Sequence, residues 1–286
     1  MKEYILETQD LEFKYPDGTM GLNGISVKIE KGKKIAVLGS NGAGKSTLFL
    51  TFNGILKPTG GKLLFKNKEV KYNHSSLFEL RKNVGIVFQD PDTQLFSSSV
   101  YQEVSFGAIN MKLSNDEVKR RVEKALKDTS ISHLRKKPTH FLSYGQKKRV
   151  SIADILVMEP EVIIFDEPTA CLDPKHTLQI MELFNDVSQK GATVIMSTHD
   201  VDIAYSWADY ILVMKDGMLA KAGTPEEIFL DDELLNNTDL VKPIILETFY
   251  VLLKSGYINE NAATPKNKSE LFSLIHENSI KAKNMG

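Results

Sequence analysis

The sequence predicts an α/β fold with a parallel central sheet and a mainly helical insertion. Short apolar runs at Lys34–Leu38, Val84–Phe88, Val162–Phe165 and Thr193–Ser197 have the length and β-branched content of strands buried on both faces. A glycine-rich loop, Gly39 to Thr47, leads from the first of these runs into a helical segment. A charged, helix-rich stretch near residues 90–155 separates the second run from the third.

The elements follow in chain order. Residues 4–13 and 25–30 read as strands, separated by the turn signal Tyr15-Pro16-Asp17-Gly18. After the glycine-rich loop, Ser46 to Asn53 reads as a helix. In the insertion, Ser114 with Glu117 marks a capping box, and Val118, Val122, Ala125 and Leu126 place an apolar face on the helix behind it. Ser143 with Gln146 marks a second capping box, ahead of an apolar-rich helical run from Val150 to Met158. The character changes near Asp231. Leu240 to Leu253 carries apolar residues at a helical period, with Gly256 as its stop. A polar stretch, Asn259 to Lys268, and a short apolar helix around Leu271 to Ile275 follow. Residues 236–286 are therefore a small C-terminal extension, which either packs on its own core or offers a partner surface.

Bulk composition narrows the function classes. A chain of 286 residues allows one large domain or two small ones. The net charge of -1 gives no electrostatic footprint for nucleic acid. No apolar run approaches the roughly 18–20 residues that span a bilayer. The segment Met1 to Asp10 carries Glu3, Glu7 and Asp10 and lacks the basic start and apolar core of a secretion signal. The single cysteine, Cys171, fits a reducing compartment. These features describe a cytosolic protein and leave docking on a membrane protein open.

The chemistry starts at Gly39-Ser40-Asn41-Gly42-Ala43-Gly44-Lys45-Ser46-Thr47, which matches G-x-x-x-x-G-K-[ST] between strand and helix. Its glycines let backbone N–H groups turn inward around phosphates. Lys45 supplies a point charge for β- and γ-phosphates, and the Ser46 hydroxyl can ligate Mg²⁺. The strand Val162–Phe165 ends in Asp166 and Glu167, at the edge where ligands bind an open parallel sheet. Asp166 is a direct or indirect Mg²⁺ partner, and Glu167 can act as general base on the attacking water. The segment Leu142-Ser143-Tyr144-Gly145-Gln146 adds a puzzle. A capped helix start with a small residue at Gly145 is itself a phosphate seat, yet the chain already has one.

With these segments in this order, the chain resembles the ATP-binding subunits of ABC transporters over about residues 1–235. The resemblance implies a P-loop NTPase core of ABC ATPase type, with an antiparallel β subdomain, a helical subdomain at about 90–155 and the C-terminal extension. It implies ATP and Mg²⁺ as ligands and ATP hydrolysis as the reaction. In that family two nucleotide domains sandwich two ATPs head to tail. Ser143, Gly145 and Gln146 of the signature would then serve the γ-phosphate held by the partner's loop, which resolves the puzzle. Tyr15 matches the aromatic that stacks on adenine. Gln89 matches the glutamine that contacts Mg²⁺ or the lytic water. His199 matches the switch histidine that bonds the γ-phosphate. Asp173 matches an acid that crosses the dimer interface. Tyr144 and Cys171 depart from the commonest pattern, which has small residues there; a buried, inert thiol is the expectation for Cys171.

Three stretches resemble the energy-coupling-factor transporters, especially the cobalt importer ATPases: Phe13 to Thr19, Gln89 to Phe96, and Leu142 to Val150. The second begins the insertion, where this subgroup receives a transmembrane coupling subunit; Leu95 and Phe96 are apolar residues suited to such an interface. The expectation is an ATPase subunit at the cytoplasmic face of the cell membrane. Its partners would be a second ATPase subunit, identical or paralogous, a transmembrane coupling subunit and a substrate-binding membrane subunit. The same ATPase type also serves nickel and vitamin importers. A soluble ABC ATPase is the rival class; its repair versions need a long coiled-coil insertion, and no long heptad run exists here.

Overall fold

Strand β3 (Lys34–Leu38) lies inside a six-stranded sheet because its neighbours shield both its edges and both its faces. The other strands in chain order are β1 (Tyr4–Lys14), β2 (Met20–Glu30), β4 (Gly60–Phe65), β5 (Lys68–Glu69), β6 (Val84–Val87), β7 (Val162–Phe165), β8 (Thr193–Ser197), β9 (Tyr210–Lys215) and β10 (Met218–Gly223). The helices are α1 (Lys45–Phe52), α2 (His74–Asn83), α3 (Val100–Asn110), α4 (Asn115–Asp128), α5 (Tyr144–Leu156), α6 (Pro174–Gln189), α7 (Val201–Trp207), α8 (Pro225–Phe229), α9 (Asp232–Asn237), α10 (Ile244–Lys254) and α11 (Lys268–Asn284). The structure, a computed structural model, describes residues 2–284, with side chains through Glu277. Met1 of the N-terminal segment and the last two residues of the 236–286 extension lie outside the described residues.

The large sheet runs β10-β9-β3-β8-β7-β6, parallel except for the β9–β10 hairpin at its edge. A second sheet, β2-β1-β4-β5, is antiparallel. Strand β2 begins at Met20 rather than at residue 25. Gly21, Asn23 and Gly24 are poor strand formers, but pairing of Phe13 with Leu22 and of Lys14 with Met20 overrides that local preference.

Three apolar clusters matter to the site. One lies between β1–β2 and the main sheet and includes Ile5, Leu22, Leu48, Phe49 and Ile164. One covers the opposite face with Ile152, Ile163, Phe165, Phe184 and Trp207. The third belongs to the insertion, where Val100, Val104, Val118, Val122, Val150 and Ala153 close a core among α3, α4 and α5. Helix α5 lies in two of them, since Val150 and Ala153 face the insertion while Ile152 and Ile155 face the main sheet.

The predicted box at Ser114 forms only in half. Ser114 Oγ accepts from the Glu117 N–H at 3.3 Å, but the Glu117 carboxylate turns to Arg120 and Arg121, each at 2.7 Å. Two cationic partners outcompete one backbone N–H for a carboxylate. The box at Ser143 and Gln146 is complete in both directions.

The C-terminal extension packs in two ways. Leu246 of α10 is buried in the main core, and Phe249, Ile258 and Leu271 form a small cluster with α11. The Ile244 N–H donates to Asp202 Oδ1 at 2.7 Å and the Tyr205 hydroxyl to the Pro265 carbonyl at 3.0 Å. Gly256, at φ 75°, ends α10 as the sequence predicts. No helix among the described residues is long and apolar enough to cross a membrane.

Candidate functional site: a strand-edge cluster and a separate helix start

Parallel register brings the site together. Val37 pairs with Ser197, Met196 with Phe165, and Phe165 with Val87. The carboxyl ends of β3, β8, β7 and β6 therefore share one edge of the sheet. The residues just beyond those ends are the glycine-rich loop, Thr198–His199, Asp166–Glu167 and Phe88–Gln89. Segments far apart in sequence converge because strand ends in one parallel sheet must.

The loop from Gly39 to Gly44 leads into α1. At Gly44, φ is 99° and an added Cβ would lie 2.6 Å from the Gly21 carbonyl oxygen, so only glycine fits. Lys45 is nearly buried. Its Nζ donates to the carbonyls of Gly39 at 2.7 Å and Ser40 at 3.1 Å, and lies 4.0 Å from Glu167 Oε1. Burial pushes its pKa below the usual lysine value, with the negative charges of Glu167 and Asp166 opposing that drop. Asn41, Gly42 and Ser46 are exposed at the loop and the start of α1, while Ala43 and Thr47 are buried. Tyr15 lies beside them. Its hydroxyl meets Thr47 Oγ1 at 2.8 Å, and its ring packs edge-on against Phe13 with centroids 4.9 Å apart.

Glu167 is the centre of the cluster. Its Oε2 accepts from the Gln89 amide at 3.0 Å, and its Oε1 lies 2.7 Å from His199 Nε2. Its backbone is at φ 43°, a left-handed conformation uncommon for a residue with a side chain. Ser197 holds it there. This fully buried hydroxyl accepts from the Glu167 N–H at 2.8 Å and donates to Asp166 Oδ1 at 2.7 Å. Sequence reasoning missed Ser197; its signal was its place at the end of a strand in register with Val37.

The donor set suits Mg²⁺ bound to a nucleotide. The described residues contain no group of three or more acidic, His or Cys side chains fit for a metal. One buried carboxylate, Asp166, stands at the same sheet edge as the loop that leads to the exposed Ser46 and as Gln89. Mg²⁺ binds through one or two carboxylates plus substrate phosphates, so these residues fit it as a nucleotide-borne ion.

Ser143, Gly145 and Gln146 stand apart. Ser143 is exposed at the start of α5, and a Cβ added at Gly145 would meet nothing within 4 Å. Among the described residues, no hydrogen bond or ion pair joins 143–146 to Gly39–Thr47 of the same chain. Asp173 caps α6. Its carboxylate accepts from the His176 N–H at 3.0 Å and pairs with His176 Nδ1, and the first of these bonds chiefly holds its pKa below the usual carboxylate range. Cys171 corrects an expectation: its thiol is exposed, not buried. At φ 62°, it occupies a conformation natural to glycine, on a turn too short to fold under the surface.

The second missed residue is Lys148. It is fully buried, and burial pushes its pKa down to about 8. Its Nζ donates to the carbonyls of Phe88 at 3.0 Å and Gln89 at 2.7 Å. Tyr144, Lys148, Ile152 and Ile155 share one helical face, and that spacing was the signal for a buried lysine.

Known proteins identify the family. A model of the ABC transporter family matches residues 22–170. The chain belongs to the ABC transporter family. It is 51% identical over 260 residues to the energy-coupling factor transporter ATP-binding protein EcfA2 of Clostridium perfringens, across 90% of this chain and 91% of that one. It is likewise 51% identical to EcfA of Methanocaldococcus jannaschii over 255 residues, 89% of this chain and 91% of that one. Among solved structures it matches cbiO1 of Clostridium perfringens, described as part of the ABC transporter complex cbiONQ. That match has 50% identity and a TM-score of 0.74, over 88% of this chain and 100% of the other. The ATP-binding cassette MJ0796, solved as a dimer bound to ADP and Pi, matches at 26% identity and a TM-score of 0.71, over 77% of this chain and 99% of that one. This ABC ATPase thus has the mixed α/β fold of the family's cassettes and hydrolyses ATP as part of a transporter.

Proposed function

We propose that this ATPase powers an energy-coupling-factor importer from the cytoplasmic face of the membrane, with cobalt ion as the transported substrate. The observation that carries the catalytic reading is the Glu167 carboxylate, held between Gln89 and His199 beside Lys45. Glu167 accepts a proton from water as that water attacks the γ-phosphorus of ATP, and ADP leaves with phosphate. Lys45 exchanges the carbonyls of Gly39 and Ser40 for phosphate oxygens. His199 turns its Nε2 from Glu167 to the γ-phosphate, and Gln89 orients the water. Ser46, Asp166 and the Gln89 amide would hold Mg²⁺, which would neutralise charge on the β- and γ-phosphates. Tyr15 stacks on adenine, and backbone N–H groups from Gly39 to Thr47 cradle the phosphates.

Ser143, Gly145 and Gln146 serve a second ATPase subunit in a head-to-tail dimer. The exposure of Ser143, the open space at Gly145 and the separation of the segment from this chain's own loop support that reading. Each ATP then touches both subunits, so binding closes the dimer and hydrolysis loosens it. Asp173 lies at the same interface. Residues 1–235 form the nucleotide-binding domain, with the helical subdomain at 90–155 and the extension at 236–286 adding a subunit contact. Phe96, 67% exposed, and Phe106, 46% exposed, offer apolar contact to the transmembrane coupling subunit.

Cobalt rests on the cbiO1 likeness. Two relatives that are 51% identical carry energy-coupling-factor names that state no substrate, so nickel or a vitamin stands as the second reading. Co-purification with the membrane subunits and ATP-driven uptake into vesicles test this. Uptake of cobalt in preference to nickel and vitamins is the expected result; uptake of a vitamin alone would replace the substrate and keep the engine.

A further inference from the structure

The first turns of α5 do more than present Ser143. Tyr144 donates its hydroxyl to the Gln89 carbonyl at 3.2 Å, and Lys148, one turn on, donates to the same oxygen at 2.7 Å and to the Phe88 carbonyl at 3.0 Å. Lys148 has no ion pair among the described residues. A buried ammonium that Asp166, Asp90 and Glu167 favour only through space is costly, and an apolar residue of the same length would fill the space at less cost. What the charge contributes is its grip on two successive carbonyls at the end of β6. The grip continues along the segment. Lys147 pairs with Asp92 at 2.5 Å, and the Gln94 amide donates to the Ser151 carbonyl at 2.9 Å. Residues 89–94 are thus fastened to α5 at several points, while the Gln89 side chain reaches Glu167.

We propose that Tyr144 and Lys148 are positioning residues for ATP hydrolysis: by bonding the Gln89 carbonyl they set the Gln89 side chain at this chain's own Glu167, so that seating the partner's phosphate on the start of α5 adjusts the glutamine of the opposite site. This rests on the roles assigned above to Gln89 and Ser143. It gives Tyr144, the atypical signature residue, a physical reason: glycine there has no hydroxyl to reach the carbonyl.

The test uses the full chain in its dimer, with Tyr144→Phe, Lys148→Met, Lys148→Gln and Gln89→Ala, alone and paired. Read-outs are kcat, KM for ATP, direct nucleotide affinity and thermal midpoint. Lys148→Met should lower kcat by about 10-fold and Tyr144→Phe by about 3-fold, the scale of one or two lost polar contacts, with nucleotide affinity within about 2-fold of wild type. Lys148→Gln, which keeps an N–H donor, should fall between wild type and Lys148→Met. In the background of Gln89→Ala, Tyr144→Phe and Lys148→Met should slow hydrolysis no further, because both act through Gln89. Wild-type kcat in both clamp variants, or losses that add to that of Gln89→Ala, would overturn the proposal while leaving Gln89 in its role. Full activity of Gln89→Ala would instead remove the role of Gln89 and the clamp with it. Should Lys148→Met fail to fold, Tyr144→Phe and Lys148→Gln carry the same comparison.

Discussion

Ser197 binds Asp166 and Glu167 at once, donating to the carboxylate of one at 2.7 Å and accepting from the backbone N–H of the other at 2.8 Å. The two acids need opposite treatment. In the proposed roles Asp166 is fixed beside the metal and Glu167 is aimed at water. One hydroxyl at the end of β8 does both. Ser197→Ala leaves a buried acceptor and a buried donor without that partner, so stability should fall by about 2 kcal/mol, read from denaturant midpoints. The kcat should fall with KM for ATP little changed, because the base loses its aim and the phosphate loop does not.

Glu167→Gln keeps the shape of the side chain and removes its basicity. Hydrolysis should fall by about 1000-fold or more, while ATP binding persists. Size exclusion with ATP should then show a stable dimer, because the nucleotide that joins the subunits is not consumed. A fully active variant would remove Glu167 from the role of base.

The exposure of Ser143 and the open space at Gly145 predict complementation between chains. Lys45→Ala and Ser143→Arg should each be inactive alone. Mixed, one chain brings an intact loop and the other an intact helix start, so ATPase activity should reappear. No recovery in a verified mixed dimer would place the signature's work elsewhere.

Asp154 predicts a pH dependence of stability. Burial raises its pKa from 3.8 to about 7, with Gln94 opposing and Glu103 adding to the rise. The folded state keeps a proton that the unfolded chain gives up. Stability from this group is therefore present below about pH 4, declines as pH rises, and is lost above about pH 7. Asp154→Asn should flatten that slope and leave the variant more stable at pH 8, by at most about 4 kcal/mol and by less where water reaches the carboxylate. Thermal midpoints at pH 5 and pH 8 measure it.

The parallel strands and the first phosphate site were legible because each depends on a local pattern: a short β-branched run, or a glycine-lysine-serine spacing. The β9–β10 hairpin was missed, although Asp216-Gly217 between two apolar stretches, with both residues at positive φ, is its turn. What escaped the sequence depends on which distant segments the fold brings together. Ser197 is an ordinary strand residue until Val37 and Met196 fix what it faces. Lys148 reads as one cation in a basic run until burial singles it out from Lys147 and Arg149. Cys171 escaped for another reason: it stands on a turn in a left-handed backbone, which residue type does not announce.

Helix α5 divides its side chains between two interiors, Val150 and Ala153 in one and Ile152 and Ile155 in the other. Such a rod cannot travel far without opening gaps in both, and close-packed interiors resist gaps. It can roll or tilt by small amounts, as an axle turns in two bearings. The insertion is therefore built for rotation about that axle rather than for wholesale departure from the sheet. Under the proposed docking, Phe96 and Phe106 would then travel along an arc about that axle.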